Sequence, residues 1–353
     1  MIVLHVDSGH DARRTDPLIR LMRAMSSQGV EQHCVCAAGS ALERRTRAEK
    51  MPVQGVPWTG GLALAARRTL GRHARAADLI HAHDEAALEL AGIVARLCRR
   101  PLVATRVDPA AGPDRAWTRA ARVIAVSRVV KGTLIDAEVP EERIHVIHPG
   151  VDVEGVRALD PATPGFRDRL AIEADRFVAG TIGPMTESEN QRLIPRAAAY
   201  ERRVIWAIVG DGPERPRIQA AIAAHGVSAN VRLAGSPAEA RPYLRDFDVF
   251  VAASHGDALG LRILDAMAMD VPVIGPDDAG PGEILLPVHL KTGASLYPPG
   301  DAAALAALVR RIRDDGRLRQ LTIAAQRARI EDFRIERTAI ETLKLYRTLA
   351  GAA

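Results

Sequence analysis

The feature of this chain that most restricts its fold is a regular alternation of short apolar runs with longer helical segments. In the first half the apolar runs read IVLHV, HCVCA, VQGVPW, LIHAH, LVATRV, VIAVS and IHVIH. After residue 175 a second series follows, which reads FVAGTIG, VIWAIVG, VRLAG, VFVAAS and VPVIG. Strand-like runs that alternate with helices are typical of parallel sheets joined by crossover helices. The pattern therefore predicts an α/β fold with two doubly wound domains.

The length of the chain also favours two domains. The chain has 353 residues, which is more than a single hydrophobic core usually supports. The segment from Val151 to about Asp175 is rich in Asp, Pro and Gly and contains no clear strand-like run, so we expect it to link the domains. The predicted domains are residues 1–155 and 156–335.

Composition excludes several classes of protein. Aromatic residues make up 3% of the chain and the net charge is +5, so the stacking platforms of a nucleic-acid-binding protein are not expected. No apolar run is long enough to span a bilayer, and the N-terminus lacks the pattern of a signal peptide. Cys34, Cys36 and Cys98 lack metal-ligand or redox spacing. His81 and His83 alternate along one run without further ligands nearby in sequence, so we expect strand-end residues and no metal.

Three glycine-rich loops in the second half are candidates for a ligand site. In open parallel sheets, ligands bind beyond the carboxyl ends of the strands. Such loops contain Gly183, the pair Gly210 and Gly212, and the stretch from Ser254 to Gly260, which leads into the helical segment LRILDAMAM. The free amides of a helix N-terminus bind anions, so the third loop predicts a diphosphate site. Taken alone, each loop is better explained by tight packing of a turn.

Together these loops resemble the signature of the GT-B glycosyltransferases of family 4. That signature has two acidic residues with seven residues between them, as Asp257 and Asp265 have, and a GDGP turn, as at residues 210–213. The first half adds DLIHAH, VATRVD and VIAVS in the order found in the family. The resemblance covers nearly the whole chain. It implies a GT-B fold, with two Rossmann-like domains facing a central cleft and a last helix, 336–353, that packs back on the N-terminal, acceptor-side domain.

The resemblance also implies roles for individual residues. Asp257 would hold hydroxyls of a donor sugar, and Asp265 would hold the ribose of a nucleotide. The alternatives are a helix cap for Asp257 and a solvated helix position for Asp265. The full set of expected donor-binding residues is Asp265, Gly183, Gly210, Gly212, Leu259, Gly260, Leu261 and Arg192.

On the acceptor side, the resemblance implies that Asp108 and Arg106 are catalytic together with Asp257. An ordinary ion pair within the loop is the alternative for Asp108 and Arg106. The acidic residues Asp246 and Asp248 have the spacing of a metal-binding DxD motif, but they run directly into a strand. We therefore expect no metal, as the GT-B resemblance implies, and no cofactor other than the nucleotide-sugar substrate.

The chain departs from the family in the loop after the first strand of its second half. The family places an Arg directly after the glycine and a Lys five residues further, whereas this chain has Pro184 and Glu189. Those cations normally neutralise the departing diphosphate, and such stabilisation is usually the largest catalytic contribution. The cations that we consider as replacements are Arg192, Arg262 and Lys291.

Two functions from different classes therefore stay open. The first is a retaining glycosyltransferase that moves a sugar from a nucleotide sugar to an envelope polysaccharide or lipid-linked glycan. The second is a catalytically inactive GT-B protein that acts as a scaffold or regulator of a partner glycosyltransferase. A third, a nucleotide-sugar epimerase, is disfavoured by the acidic spacing.

A basic segment in the first half raises the question of a membrane surface. Arg67, Arg68, Arg72 and Arg75 are interleaved with Leu and Ala between residues 60 and 75. This pattern suits an interfacial amphipathic helix, and it also suits a solvated basic helix. The expected location is the cytoplasm, at the inner face of the cell membrane if this segment docks there.

Overall fold

The computed structural model describes residues 1–9, 15–58, 63–109, 115–161, 165–237, 239–255 and 259–351. The chain divides into two compact units, one of residues 1–150 with 335–353 and one of residues 151–334. Each unit contains a parallel sheet covered by helices, and the central strands are buried along almost their whole length. Burial on both faces explains why these strands read as continuous apolar runs.

The described part of the first unit contains a seven-stranded sheet in the order β3-β2-β1-β4-β5-β6-β7. Its strands are Ile2–Asp7 (β1), Glu31–Ala37 (β2), Val53–Val56 (β3), Leu79–Ala82 (β4), Leu102–Arg106 (β5), Arg122–Ala125 (β6) and Ile144–Val146 (β7). Its first helices are Thr15–Ser26 (α1), Ala41–Ala48 (α2), Ala63–Ala76 (α3), Glu85–Cys98 (α4) and Arg128–Asp136 (α5).

The described part of the second unit contains a six-stranded sheet in the order β10-β9-β8-β11-β12-β13. Its strands are Val178–Ile182 (β8), Ile205–Val209 (β9), Val231–Gly235 (β10), Val249–Val251 (β11), Val273–Pro276 (β12) and Leu296–Tyr297 (β13). Its helices are Val153–Arg157 (α6), Phe166–Arg169 (α7), Leu193–Tyr200 (α8), Arg215–Ala224 (α9), Leu261–Ala268 (α10), Ala279–Thr292 (α11), Ala302–Asp314 (α12) and Gly316–Ile330 (α13).

The last helix, Ile335–Ala350 (α14), belongs to the first unit. Its residues Ala339, Leu343 and Tyr346 are buried in one cluster with Val3 and Leu79 of the first sheet. The hydroxyl of Thr338 also donates a hydrogen bond to the carbonyl oxygen of His148, at 3.0 Å. The C-terminal helix therefore completes the hydrophobic core of the first unit.

Each strand-like run in the sequence corresponds to a strand, and the predicted α/β fold with two doubly wound units is confirmed. The interpretation of the segment after Val151 as a linker was wrong. Buried apolar residues occur at intervals among its Asp, Pro and Gly residues, and they join the core of the second unit: Val151, Val153, Val156, Phe166 and Ile172. The division between the units falls after Gly150, so the predicted boundary at residue 155 lies inside α6.

Candidate functional site

The second sheet reverses its strand order between β8 and β11, and the loops after these strands lie side by side. The backbone amide of His255 donates to the carbonyl oxygen of Ser188 at 2.9 Å. The side-chain amide of Asn190 donates to the carbonyl oxygen of Ala253 at 3.2 Å. Such a reversal is the place where open α/β sheets bind ligands.

The loop after β9 joins this assembly through its glycines. A Cβ atom on Gly210, whose φ is +145°, would collide with the carbonyl oxygen of Gly183. A Cβ atom on Gly212, whose φ is +156°, would lie 2.6 Å from the carbonyl oxygen of Met185. Only glycine tolerates both the conformation and the close approach. These glycines therefore allow the loops after β8 and β9 to touch.

The amides of these glycines are already hydrogen-bonded within the protein. The amide of Gly183 donates to Val209 at 2.9 Å and that of Gly210 to Gly235 at 2.7 Å. The amide of Gly212 donates to the Asp211 carboxylate at 2.8 Å. The three glycines thus shape the site by packing, and the amide donors for an anion must come from elsewhere.

Helix α10 offers such donors at its N-terminus. Its N-cap is Gly260, with φ +57°, which has no side chain that could cap the first amides of the helix. The first turn of a helix has amides without intrahelical acceptors, and Leu261 occupies its first position. Leu259, just before the helix, is buried. The amides at the start of α10 are therefore directed towards the loop edge of the sheet.

Of the two acidic residues of the signature, Asp265 lies in the described part of the chain. Asp265 lies one turn into α10 and is only 5% exposed, so it is not the solvated helix residue of the alternative interpretation. A buried carboxylate is rare unless it is paired or functional. Asp257 lies outside the described residues.

Glu189, which stands where the family has Lys, forms an ion pair with Arg262 in the first turn of α10. Nη1 of Arg262 lies 2.8 Å from Oε1 and 3.0 Å from Oε2 of Glu189. The same nitrogen would lie 3.1 Å from a Cβ on Gly183, so the guanidinium sits directly over the loop glycine. Nε and Nη2 of Arg262 donate to no other described residue. Of the three cations considered as replacements, Arg262 is thus the one that the fold brings directly to this loop.

The other two cations considered are arranged differently. Nε of Arg192 lies 3.2 Å from the carboxylate of Glu214, which also binds Arg217 at 2.7 Å. Arg192 is therefore paired beside the loop after β9. Lys291 is in the last turn of α11. A helix of this length runs about 20 Å from its start, so Lys291 lies far from the loop edge where α11 begins.

The Asp246–Asp248 pair has a structural role. The carboxylate of Asp246 accepts from the amide of Phe166 at 3.1 Å. The carboxylate of Asp248 accepts from the amide of Val178 at 2.9 Å and forms ion pairs with Arg167 and Arg319. These contacts join the start of β8 and β11 to the helices around them.

In the first unit, Arg106 and Asp108 lie at the carboxyl end of β5. Arg106 is 1% exposed. Its Nε donates to the backbone carbonyl of Asp108 at 3.2 Å, and its guanidinium lies 5.6 Å from the ring centroid of Trp117. Asp108 itself is partly exposed. The buried arginine thus shapes the loop that carries the Asp108 carboxylate.

Three buried histidines lie beside this loop edge, and the sequence pattern indicated only His81 and His83. The ring nitrogens of His5, His81 and His83 lie within 4.8 Å of one another. His5 bonds His83 at 2.9 Å and Gln32 at 3.0 Å. His81 lies inside β4, not at its end, and bonds Tyr346 at 2.5 Å and Thr105 at 2.7 Å.

Burial lowers the pKa of His5 to about 4, against a smaller raising effect of its bond to Gln32, and burial also lowers the pKa of His81. Both rings are therefore neutral at pH 7. Since both nitrogens of each ring already have partners, His5 and His81 form a hydrogen-bond network. The position of His5 inside the continuous apolar run IVLHV was the signal available in the sequence.

The basic segment predicted in the first half is helix α3. Arg67, Arg68, Arg72 and Arg75 are all exposed on it, and Leu70 is fully buried. No helix in the described ranges combines the length and apolar character needed to cross a bilayer.

Two protein-family models match the chain. Residues 18–154 match the model described as Glycosyltransferase Family 4. Residues 176–315 match the model described as Glycosyl transferases group 1. The first match lies almost entirely in the first unit and the second lies within the second unit, so together they cover most of both.

Curated relatives share the same activity class in their names. LpsD of Rhizobium meliloti (strain 1021), a lipopolysaccharide core biosynthesis glycosyltransferase, is 32% identical over 161 residues, which are 45% of this chain and 46% of LpsD. The chain thus spans about half the length of this relative. The 2-deoxystreptamine N-acetyl-D-glucosaminyltransferase of Streptomyces fradiae is 27% identical over 359 residues, covering 87% of this chain and 84% of that protein.

Among solved structures, Anabaena Alr3699/HepE in complex with UDP resembles the whole chain. The TM-score is 0.86, with 21% identity, and the match covers 99% of this chain and 100% of the other. At this identity the likeness concerns the fold, and it confirms the GT-B architecture predicted from the sequence.

Proposed function

We propose that this chain, which belongs to the family 4 glycosyltransferases of the GT-B fold, transfers a sugar from a nucleotide sugar to a glycan or lipid-linked acceptor of the cell envelope. The observation that carries the proposal is the arrangement around α10. A buried carboxylate, a helix N-terminus and a partly exposed arginine lie together at the strand-order reversal of the second sheet. This combination suits a ribose and a diphosphate.

Within this site, Asp265 accepts hydrogen bonds from the ribose hydroxyls and the first amides of α10 face the diphosphate. Asp257 contacts the hydroxyls of the donor sugar, as the family resemblance implies. Each aspartate is one methylene shorter than the glutamate usual in the family, which corresponds to roughly 1.5 Å less reach. The sugar and ribose are therefore bound closer to the backbone than a glutamate would require.

Arg262 supplies the charge that the family obtains from its loop Arg and Lys. Glu189 holds one guanidinium nitrogen of Arg262, while the other two nitrogens have no acceptor among the described residues. The side chain of Arg262 is 34% exposed, so an anion can reach those two nitrogens. Glu189 then acts as a positioning residue for Arg262, and its own charge is neutralised by the same contact.

The reaction breaks the bond between the anomeric carbon and the diphosphate oxygen and forms a bond to an acceptor hydroxyl. The departing diphosphate takes the negative charge, and the proton of the acceptor hydroxyl leaves with it. Arg262 and the α10 amides stabilise that charge, which is the contribution that matters most for such a transfer. Retention of the anomeric configuration is what the family resemblance implies.

The acceptor side is assigned to Asp108 in the first unit, with Arg106 as the residue that positions its loop. Names of relatives in lipopolysaccharide core biosynthesis support an envelope glycan as the acceptor. The four exposed arginines of α3 are suited to contact an anionic membrane surface that carries such an acceptor.

The test is a transfer assay without added metal. The purified chain is incubated with a panel of UDP-, GDP- and ADP-sugars, and release of the nucleoside diphosphate is measured with and without envelope glycan. We expect release from one donor class, and we expect Asp265→Asn to lower the rate by about tenfold to a hundredfold through loss of a charged hydrogen-bond acceptor. Asp160→Asn, an exposed aspartate of the same unit, is the matched control.

Two results would count against the proposal. Equal rates for Asp265→Asn and Asp160→Asn would contradict the assignment of Asp265 to the ribose. A folded protein that turns over no nucleotide sugar and binds no nucleotide would favour the scaffold interpretation, in which Pro184 and Glu189 mark a lost donor site. UDP is the first nucleotide to test, because HepE was solved with it.

A further inference from the structure

A strongly basic pocket lies on the first unit, at the opposite edge of its sheet from Arg106 and Asp108. It has a volume of about 950 Å³ and is formed by the end of α4 and the amino ends of β5 and β6. Six arginines line it: Arg96, Arg99, Arg100, Arg119, Arg122 and Arg143. No carboxylate is among the described residues that line it.

In the part of the chain that the structure describes, none of these six arginines forms an ion pair, although arginines elsewhere commonly do. The closest acidic neighbours in sequence are Glu141 and Glu142, in the turn before β7, and Glu141 is bound to Lys131 at 2.7 Å. The guanidinium groups of Arg96, Arg99 and Arg119 make no hydrogen bond to another described residue. The pocket therefore concentrates positive charge that the described residues do not neutralise.

The remaining arginines are fixed by backbone carbonyls. Nη2 of Arg100 donates to Arg75 at 2.8 Å, and Nη1 of Arg122 donates to Ala121 at 2.8 Å. Nη1 of Arg143 donates to Thr118 at 3.4 Å. Carbonyl anchors hold a guanidinium in place without cancelling its charge. The pocket thus combines three arginines that are held by carbonyl groups with three that are not, and together they can bind several anionic oxygens.

We propose that this basic pocket binds a phosphorylated ligand that carries at least two negative charges, either a phosphate monoester or a pyrophosphate. Arginine forks match the oxygen geometry of phosphate groups, and adjacent like charges raise the local concentration of a multivalent anion. The ligand is either a soluble phosphate compound or the headgroup of a lipid. Ile93 of α4 lines the pocket, and Leu97, which follows Arg96 on the same helix, is 72% exposed. Their apolar surface would face the acyl region in the lipid case.

The test compares the intact chain with Arg96→Gln/Arg119→Gln. These two arginines are exposed and unpaired among the described residues, so their replacement should leave the thermal unfolding unchanged. Arg196→Gln/Arg317→Gln removes the same charge from exposed positions of the second unit and is the matched control. The probes are inorganic pyrophosphate, by calorimetry, and vesicles of phosphatidylcholine with and without phosphatidic acid, by cosedimentation.

We expect Arg96→Gln/Arg119→Gln to bind at least one of the two probes about tenfold or more weakly than the control variant does. A loss for pyrophosphate assigns a soluble ligand, and a loss confined to phosphatidic acid vesicles assigns a lipid headgroup. Pyrophosphate that binds at α10 is bound alike by all three proteins and does not affect the comparison. Equal binding by both variants in both arms, or binding of neither probe by the intact chain, would overturn the proposal.

Discussion

At the scale of single residues, the buried histidines make a measurable link between pH and stability. Burial holds the pKa of His5 at about 4 in the folded state, whereas an unperturbed histidine titrates near 6.5. Between these values the unfolded chain binds a proton that the folded chain excludes. The stabilising contribution is therefore complete above pH 6.5 and is lost as the pH falls from 6.5 towards 4.

For His5 this contribution amounts to on the order of 3 kcal/mol. We expect the free energy of unfolding of the first unit to fall between pH 7 and pH 4.5, and to fall less in His5→Gln. The control is His225→Gln, at an exposed position, whose free energy of unfolding should fall by as much as that of the wild type. Urea unfolding at the two pH values measures the difference. Parallel losses in His5→Gln and the wild type would show that His5 is not the titrating group.

The pair of Glu189 and Arg262 shows what the sequence could not provide at this scale. The departures at 184 and 189 are visible in the sequence, and they predict a changed phosphate loop. The compensating cation lies 73 positions further along the chain. Only the parallel arrangement of β8 and β11 brings the two side chains together, so the pairing depends on the fold and not on a local motif.

At the scale of elements, α14 is anchored to the first sheet by one buried hydrogen bond. The Tyr346 hydroxyl lies 2.5 Å from Nδ1 of His81, and both side chains are fully buried. Tyr346→Phe keeps the ring packing but leaves the imidazole nitrogen without this partner. We expect a loss of about 1–3 kcal/mol in unfolding free energy.

The control for this prediction is Tyr200→Phe, because Tyr200 is 60% exposed at the end of α8. Its unfolding free energy should match that of the wild type within about 0.5 kcal/mol. Chemical denaturation of the three proteins gives the comparison. A Tyr346→Phe protein as stable as Tyr200→Phe would show that the bond to His81 contributes no net stability.

Strands were predicted correctly from the sequence where an apolar run is long enough to span the sheet. Strand β13 was missed because it has only two residues, Leu296 and Tyr297, and its identity comes from pairing with β12. The segment after Val151 was misjudged because its polar composition conceals apolar residues such as Phe166, whose burial depends on tertiary contacts. Local patterns do not contain that information.

At the scale of the whole molecule, the chain has one continuous unit and one that is assembled from both ends. We expect residues 151–334 to fold and unfold cooperatively as a separate fragment. Residues 1–150 should be poorly folded alone, because Val3 and Leu79 lose the cover of Leu343 and Tyr346. Circular dichroism melts of both fragments test this prediction.

Adding a peptide of residues 335–353 to the fragment 1–150 should restore a cooperative transition. The matched control is a peptide in which Leu343 and Tyr346 are replaced by Ser. A cooperative melt of 1–150 alone, unchanged by the peptide, would contradict the assignment of α14 to that core.

The basic pocket is also recognised only in the folded molecule, because its arginines are spread from residue 96 to residue 143 of the sequence.

The central claim is a working donor site in which Arg262 replaces the loop cations of the family. The most direct measurement is calorimetric titration of the wild type, Arg262→Gln and the charge-matched control Arg196→Gln with UDP, GDP and ADP, without metal. We predict that one nucleoside diphosphate binds the wild type and the control alike, and that Arg262→Gln weakens this binding about tenfold or more. Arg262→Gln that binds as tightly as the control would contradict the role of Arg262, and absence of binding by the folded wild type would contradict the donor site itself.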